Sequence, residues 1–290
     1  METCITAKET ANLMLISARM RRSALEMVYR ATSGHIGGSF SMCELMTALY
    51  FKEMNIDPQN PKWADRDRLV LSKGHCTPAL YSALAMRGYF PMEELSTFRQ
   101  IDSHLSGHPE MKYVKGVDMS TGSLGQGFSA AVGMALAGQL DQKDYRVYAI
   151  LGDGEIQEGQ IWEAAMAAGH YGLSNLCAIV DNNNIQIDGT IEEIMSPYPI
   201  DEKFAAFGFH VITCDGHDMV SICNALEEAK AEKDKPSVII AKTVKGKGVS
   251  YMEHNNEWHG NDPNEEQYLI AAAELDALIA EAEKEVAIHG

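Results

Sequence analysis

Apolar positions along this chain fall into two repeating patterns. Between Lys8 and Thr32 they recur at Leu13, Ile16, Met20, Leu25 and Val28, near helical spacing. This predicts a long amphipathic helix that ends at Ser33-Gly34-His35. Met42 to Phe51 predicts a second helix, and Leu69 to Ser72 a short strand leading to Lys73-Gly74-His75, with Pro78 opening the next helix. The stretch 125–140 (GQGFSAAVGMALAGQL) reads as a helix of small residues that another backbone can approach closely. Tyr145 to Leu151 (YRVYAIL) and Leu176 to Val180 (LCAIV) are short apolar runs rich in β-branched and aromatic residues, the pattern of buried strands. Between them, Glu158 to Gly169 places Ile161, Ala165 and Ala168 on one helical face. Further strands are predicted at Phe209 to Cys214 and Ser237 to Thr243, separated by a helix over Ser221 to Lys233. A last helix is predicted over Pro263 to Ile288.

This alternation of strand and helix predicts an α/β fold with a mostly parallel central sheet and helices on both faces. There is no internal repeat, low-complexity tract or linker, so one domain is expected across 1–290. A strand–helix–strand unit crosses over right-handed, which brings the turns after both strands to one edge of the sheet. Asp153, in Gly152-Asp153-Gly154, is then a neighbour of the turn Asp181 to Asn184, at the edge where open α/β sheets bind ligands. One carboxylate, one amide oxygen and one backbone carbonyl form a hard-oxygen donor set, suited to Mg²⁺ or Ca²⁺ and not to zinc. So few protein ligands leave coordination positions for phosphate oxygens and water. Gly154 lets backbone N–H groups approach an anion, and the helix that follows is expected to add its positive end. On residue type alone, Asn182, Asn183 and Asn184 are all eligible as the amide donor.

Composition narrows the field. A chain of 290 residues with 46% hydrophobic residues can bury one large core. A net charge of −17 argues against a nucleic-acid partner, and it demands that any anionic ligand be met by a locally inverted field from metal, helix ends and histidines. The six cysteines (Cys4, Cys43, Cys76, Cys177, Cys214, Cys223) show no metal spacing and read as reduced structural thiols. Met1 to Thr10 is polar and no apolar run approaches spanning length, so a cytoplasmic protein with no membrane attachment is expected. No GxGxxG follows a predicted strand, which disfavours a dinucleotide-binding dehydrogenase.

The segment GDGEIQEGQIWEAAMAAGHYG…LCAIVDNNNIQIDG resembles the thiamine diphosphate signature of the transketolase family. Four further segments match that family in the same order: SGHIGGSFSMCELMTALY (33–50), DRDRLVLSKGHCTPALYSAL (67–84), SGHPE with STGSLGQGFSAAVGMALA (106–137), and WHG (258–260). The resemblance implies a thiamine-diphosphate-binding fold, thiamine diphosphate with Mg²⁺ as cofactors (Ca²⁺ or Mn²⁺ as substitutes), and transfer of a two-carbon ketol unit from a ketose to an aldose. It implies metal ligands at Asp153, Asn183 and the carbonyl of Ile185, the register of Ile-x-Ile-Asp-Gly selecting Asn183 among the three asparagines. His75 and His259 are implied to face the diphosphate, and His35 and His108 the donor's hydroxyls, with His259 also near substrate. His35, His108 and His259 are therefore the candidate catalytic residues. Gly152, Asp153, Gly154, Gly122, Ser123 and Leu124 are implied against the cofactor, Gly122 through its backbone at the aminopyrimidine, and Ile187 against the thiazolium. Glu158 and Glu163 match carboxylates that link two cofactor sites across a subunit interface; as plain residues they are the acidic N-terminal turn of a helix. His104, His170, His210, His217, His254 and His289 match no family site and are expected to be structural.

Family members complete in one chain also carry a pyrimidine-binding domain and a C-terminal domain, and no segment here matches either. The resemblance thus implies the N-terminal subunit of a split transketolase, active only with a C-terminal partner, in an α₂β₂ assembly acting on sugars or sugar phosphates. Related readings are a 1-deoxyxylulose-5-phosphate synthase-like half enzyme and a 2-oxo acid dehydrogenase E1 α-type subunit. Where the family commonly has SGHPGA and TTGPLGQG, this chain has SGHIGG and STGSLGQG, which leaves sugar preference open.

Overall fold

The computed structural model describes residues 4–289. Its centre is a five-stranded sheet of β1 (Arg68–Leu71), β2 (Val147–Gly152), β3 (Leu176–Asn182), β6 (His210–Asp215) and β7 (Ser237–Lys242). The order is β1-β2-β3-β7-β6, and every neighbouring pair is parallel. A small antiparallel hairpin, β4 (Ile185–Gln186) with β5 (Gly189–Thr190), follows β3. The helices are α1 (Ala7–Ala31), α2 (Gly37–Phe40), α3 (Cys43–Ala48), α4 (Thr77–Arg87), α5 (Gln126–Leu140), α6 (Gly159–His170), α7 (Ile191–Met195), α8 (Ile200–Ala206), α9 (Met219–Ala231) and α10 (Glu265–His289).

Alternation along the strands divides the core in two. Tyr148 and Ile150 of β2, Cys177 and Ile179 of β3, and Ile239 and Ala241 of β7 face one cluster, packed beneath α1, α3, α4 and α9. The residues between them, Val147, Ala149, Leu151, Ala178, Val180, Val238 and Ile240, face the other, beneath α5, α6 and α8. Successive side chains on a strand point to opposite faces, so a sheet covered on both sides needs apolar residues at every position. That is why these strands read as unbroken apolar runs.

The structure departs from the sequence expectation in four places. β3 continues through Asp181 and Asn182, whose partners on β7 are Ala241 and Lys242, so the turn is confined to Asn183 and Asn184. The second helix is α3, extended by a π-helical turn over Leu49–Glu53. A 3₁₀ turn that was not predicted, Glu155–Gln157, lies between Gly154 and α6, while α6 itself begins at Gly159, one residue from the expected Glu158. Helix α2, the β4–β5 hairpin, α7 and α8 were not anticipated. Among the described residues, no helix is long and apolar enough to cross a membrane.

Candidate active site

In the β2–β3 register Gly152 stands beside Asp181. One residue further, Asp153 is buried, and its carboxylate organises the facing turn. Its Oδ1 accepts the Gly154 N–H at 2.9 Å, while Oδ2 accepts Asn182 Nδ2 at 3.1 Å and the Asn184 N–H at 2.5 Å. Asn184 adopts φ +64°, in the left-handed region that asparagine tolerates better than most residues. Burial first, and the charge of Asp181 second, push the Asp153 carboxyl up to about 6.

The three asparagines are not equivalent. Asn182 spends its amide on structure: Nδ2 donates to Asp153 and to Tyr198 Oη at 2.9 Å, and Oδ1 accepts Lys242 Nζ at 2.6 Å. Asn183 donates to Asp181 Oδ2 at 3.1 Å, and its Oδ1 accepts the Ile185 N–H at 3.1 Å, which leaves that oxygen a second lone pair. Asn183, Asp153 and Ile185 line the same cleft. Asn184 Oδ1 is buried without a hydrogen-bond partner.

Beneath this layer Asp181 is fully buried and fully used. It pairs with Lys73 Nζ, accepts Ser41 Oγ at 2.6 Å and Asn183 Nδ2, and accepts Thr243 Oγ1. Burial alone would raise its pKa; Lys73 outweighs that and holds the carboxyl below its usual value. Lys73 Nζ also donates to Gly38 O at 2.9 Å. A second buried cation, Lys245, donates to Ile185 O at 3.0 Å and lies 2.7 Å from His259 Nδ1. Burial lowers its ammonium to about 8.

The four predicted histidines meet above the strand tips. Ring centroids are 5.0 Å apart for His35 and His75, 5.2 Å for His75 and His259, 5.4 Å for His35 and His259, and 6.5 Å for His35 and His108. Burial, with Arg99 and His108 nearby, lowers His35 to about 4; burial and Lys245 lower His259 to about 3. His75 falls well below its usual value, again mainly through burial, and His108 is lowered by burial and Arg99. All four are therefore neutral at pH 7. This corrects the expectation that histidines invert the local field. They offer hydrogen bonds, and a cation at the lining is Lys245, which feels the opposite charge of Asp153. His35 Nδ1 is buried without a partner.

These groups border a cleft of about 460 Å³. Gly122, Leu124, Gly152, Gly154, Glu158 and Ile187 also line it, Ile187 at the mouth and 63% exposed. One expected residue lies elsewhere: Ser123 faces solvent outside the cleft and its carbonyl accepts the Gln126 N–H at the start of α5. Glu163, which the resemblance assigned to a subunit interface, is on the exposed face of α6. The buried carboxylate at the lining is instead Glu155, which accepts Ser72 Oγ at 2.6 Å and the N–H groups of Gly125 and Gly152, each at 2.9 Å. It ties the turns after β1 and β2 to the start of α5. Lys73, Glu155, Asp181 and Lys245 all escaped the sequence reading. Lys73 adjoins a quoted motif, whereas Lys245 is one of three closely spaced lysines and nothing in the sequence singles it out.

The profile of the family described as "Transketolase, thiamine diphosphate binding domain" matches residues 13–275. The chain belongs to the transketolase family. It is 51% identical over 257 residues to the 6-deoxy-6-sulfo-D-fructose transketolase subunit SqwG of Clostridium sp. (strain MSTE9), covering 89% of this chain and 94% of that one. It is 44% identical over 277 residues to an apulose-4-phosphate transketolase subunit of Phocaeicola vulgatus, covering 96% and 98%. Its fold superposes on the crystal structure of transketolase from Campylobacter jejuni with a TM-score of 0.83 at 33% identity, over 94% of this chain and 48% of that one. The match to transketolases named as subunits is thus nearly end to end, and to the longer transketolase it is about half.

Proposed function

We propose that this chain is the N-terminal, diphosphate-binding subunit of a thiamine-diphosphate- and Mg²⁺-dependent transketolase. Its reaction moves a two-carbon ketol unit from a ketose donor to an aldose acceptor, and it requires a C-terminal partner in an α₂β₂ assembly. The observation that supports this reading is that Asp153, Asn183 and Ile185 line one cleft together with four histidines and Lys245. The donor set fits the group: an anionic oxygen, an amide oxygen with a free lone pair and a carbonyl with a second lone pair can hold a hard divalent ion and leave it room for phosphate oxygens.

Thiamine diphosphate, when bound, supplies the electron sink for breaking and making the carbon–carbon bond. Asp153, Asn183 and Ile185 would hold the ion, and Lys245 with His75 and His259 would meet the diphosphate. Gly122 and Leu124 would lie against the cofactor ring system, with Ile187 at the mouth. His35 and His108, on the opposite side of the cluster, would hydrogen-bond donor hydroxyls, and His259 stands between the two groups. Neutral imidazoles can donate or accept at a sugar hydroxyl, and burial keeps water from competing. The relatives' names point to ketoses with an anionic end group, 6-deoxy-6-sulfo-D-fructose and apulose 4-phosphate, and that class is proposed here.

A ketol-transfer assay of the purified chain tests the proposal, run with thiamine diphosphate and Mg²⁺, with and without the partner subunit. Turnover should appear only with the partner. Robust turnover by this chain alone would contradict the split-subunit reading.

A further inference from the structure

His217, which matches no family motif in the sequence, ends a buried polar chain that runs from α1 through α3 to the residue preceding Lys245. Arg21 of α1 pairs with Glu44 of α3, their side chains 4% and 3% exposed, and Arg21 Nε also donates to Phe40 O at 3.1 Å. Glu44 Oε2 lies 3.1 Å from His217 Nδ1. The other ring nitrogen, Nε2, lies 2.8 Å from the backbone nitrogen of Val244. A backbone N–H can only donate, so Nε2 accepts; the ring proton then sits on Nδ1 and is donated to Glu44. A single tautomer satisfies both contacts.

The turn that bears His217 is pressed against the same segment. The Gly216 N–H donates to Lys242 O at 2.8 Å, and a Cβ on Gly216 would stand 2.4 Å from Thr243 Cγ2, an approach that glycine alone permits. Asp215 Oδ1 accepts the His217 N–H at 2.9 Å and fixes the turn. On the other side of Lys245, the Gly246 N–H donates to Gly37 O at 3.1 Å, and Lys245 O accepts the His254 N–H at 3.1 Å. The backbone is thus held on both sides of Lys245, and His217 is the side chain that holds the preceding residue.

We propose that His217 is a positioning residue: by anchoring the Val244 N–H, it aims the Lys245 ammonium at the Ile185 carbonyl and His259. Its role toward the cofactor rests on the function proposed above. Glu44 and Arg21 fix the ring, so the cleft is braced through α1 and α3.

Two replacements separate anchoring from mere packing. In His217→Gln the side-chain oxygen reaches the position of Nε2 and can accept the Val244 N–H, but the link to Glu44 is lost. In His217→Asn the shorter amide can still donate to Glu44 and leaves Val244 without its acceptor. Hydrogen exchange of the full chain, read by mass spectrometry over segment 243–249, should speed up about tenfold in His217→Asn and stay near wild type in His217→Gln, with β6 and β7 unchanged in both. Affinity for thiamine diphosphate with Mg²⁺, measured with the partner subunit present, should follow the same split, weaker by about tenfold only in His217→Asn. Equal behaviour of the two variants, or faster exchange spread through β6 and β7, would overturn the inference. A wild-type chain that shows no response to thiamine diphosphate even with the partner subunit present would bring down the cofactor reading and the affinity part with it. The exchange contrast needs no cofactor, so the two failures are told apart.

Discussion

Lys73 and Asp181 form an ion pair whose side chains are 3% and 0% exposed. One charge comes from the turn after β1 and the other from the last residues of β3, so the pair joins two elements of the cleft. Removing one partner strands the other charge in the interior. Asp181→Ala should cost about 3–5 kcal/mol in urea denaturation. The double variant Asp181→Asn with Lys73→Met should lose less than the sum of its singles. Strict additivity would show that the pair is not coupled.

The asparagines make a second contrast. Asn183→Ala removes the amide oxygen assigned to the ion, and Mg²⁺-dependent cofactor binding should weaken by at least about tenfold, one lost ligand contact being worth about 1.4 kcal/mol or more. Asn182→Ala removes contacts to Asp153, Tyr198 and Lys242 instead, and should cost stability, about 1–3 kcal/mol, with a smaller effect on the ion. Calorimetric titration with Mg²⁺ and thermal melts of both variants check the assignment; a reversed pattern would move it to Asn182.

The raised carboxyl of Asp153 sets a pH dependence. With a folded value of about 6 against an ordinary value of 3.8, folding takes up a proton between these limits. The stabilisation from this group is therefore full below about pH 4 and is lost as pH rises through 6, a change of about 3 kcal/mol. Metal binding runs the other way, because the ion needs the carboxylate. Mg²⁺ affinity should be flat above pH 7 and fall by up to about tenfold per unit below 6, with proton release on binding. Titrations in buffers of different ionisation enthalpy read that proton directly.

Gly74 carries the turn after β1 against the 121–124 loop, whose Gly122 and Leu124 line the cleft. A Cβ there would stand 2.5 Å from Thr121 Oγ1 and 2.8 Å from the Gly122 nitrogen. Gly74→Ala should displace the 121–124 loop, with a stability loss of about 1–3 kcal/mol and weaker thiamine diphosphate binding. Unchanged affinity would show that this loop does not face the cofactor.

Much of this architecture was legible in the sequence because the sheet is buried on both faces. Each of β2, β3 and β7 contains an unbroken apolar stretch, 147–151, 176–180 and 238–241, and the adjacency of Asp153 to the asparagine turn follows from the crossover between β2 and β3. The histidines were legible as a set because their motifs are linked. Their charge state was not, since it depends on how deeply the folded chain encloses them. The Lys73–Asp181 pair and the reach of Lys245 were hidden for a related reason: they join segments that are 108 and 60 residues apart, and no local pattern records such contacts. Likewise Ser123 alternates outward between Gly122 and Leu124, a detail of loop conformation that residue type does not encode.

The most direct measurement is the binding of thiamine diphosphate with Mg²⁺ to the wild-type chain and to Asp153→Ala, with the C-terminal partner present. The account predicts saturable binding by the wild type and its loss in the variant, with both chains folded. Equal affinity in the two would contradict the assignment of Asp153 to the ion and, with it, the site built around the tips of β2 and β3.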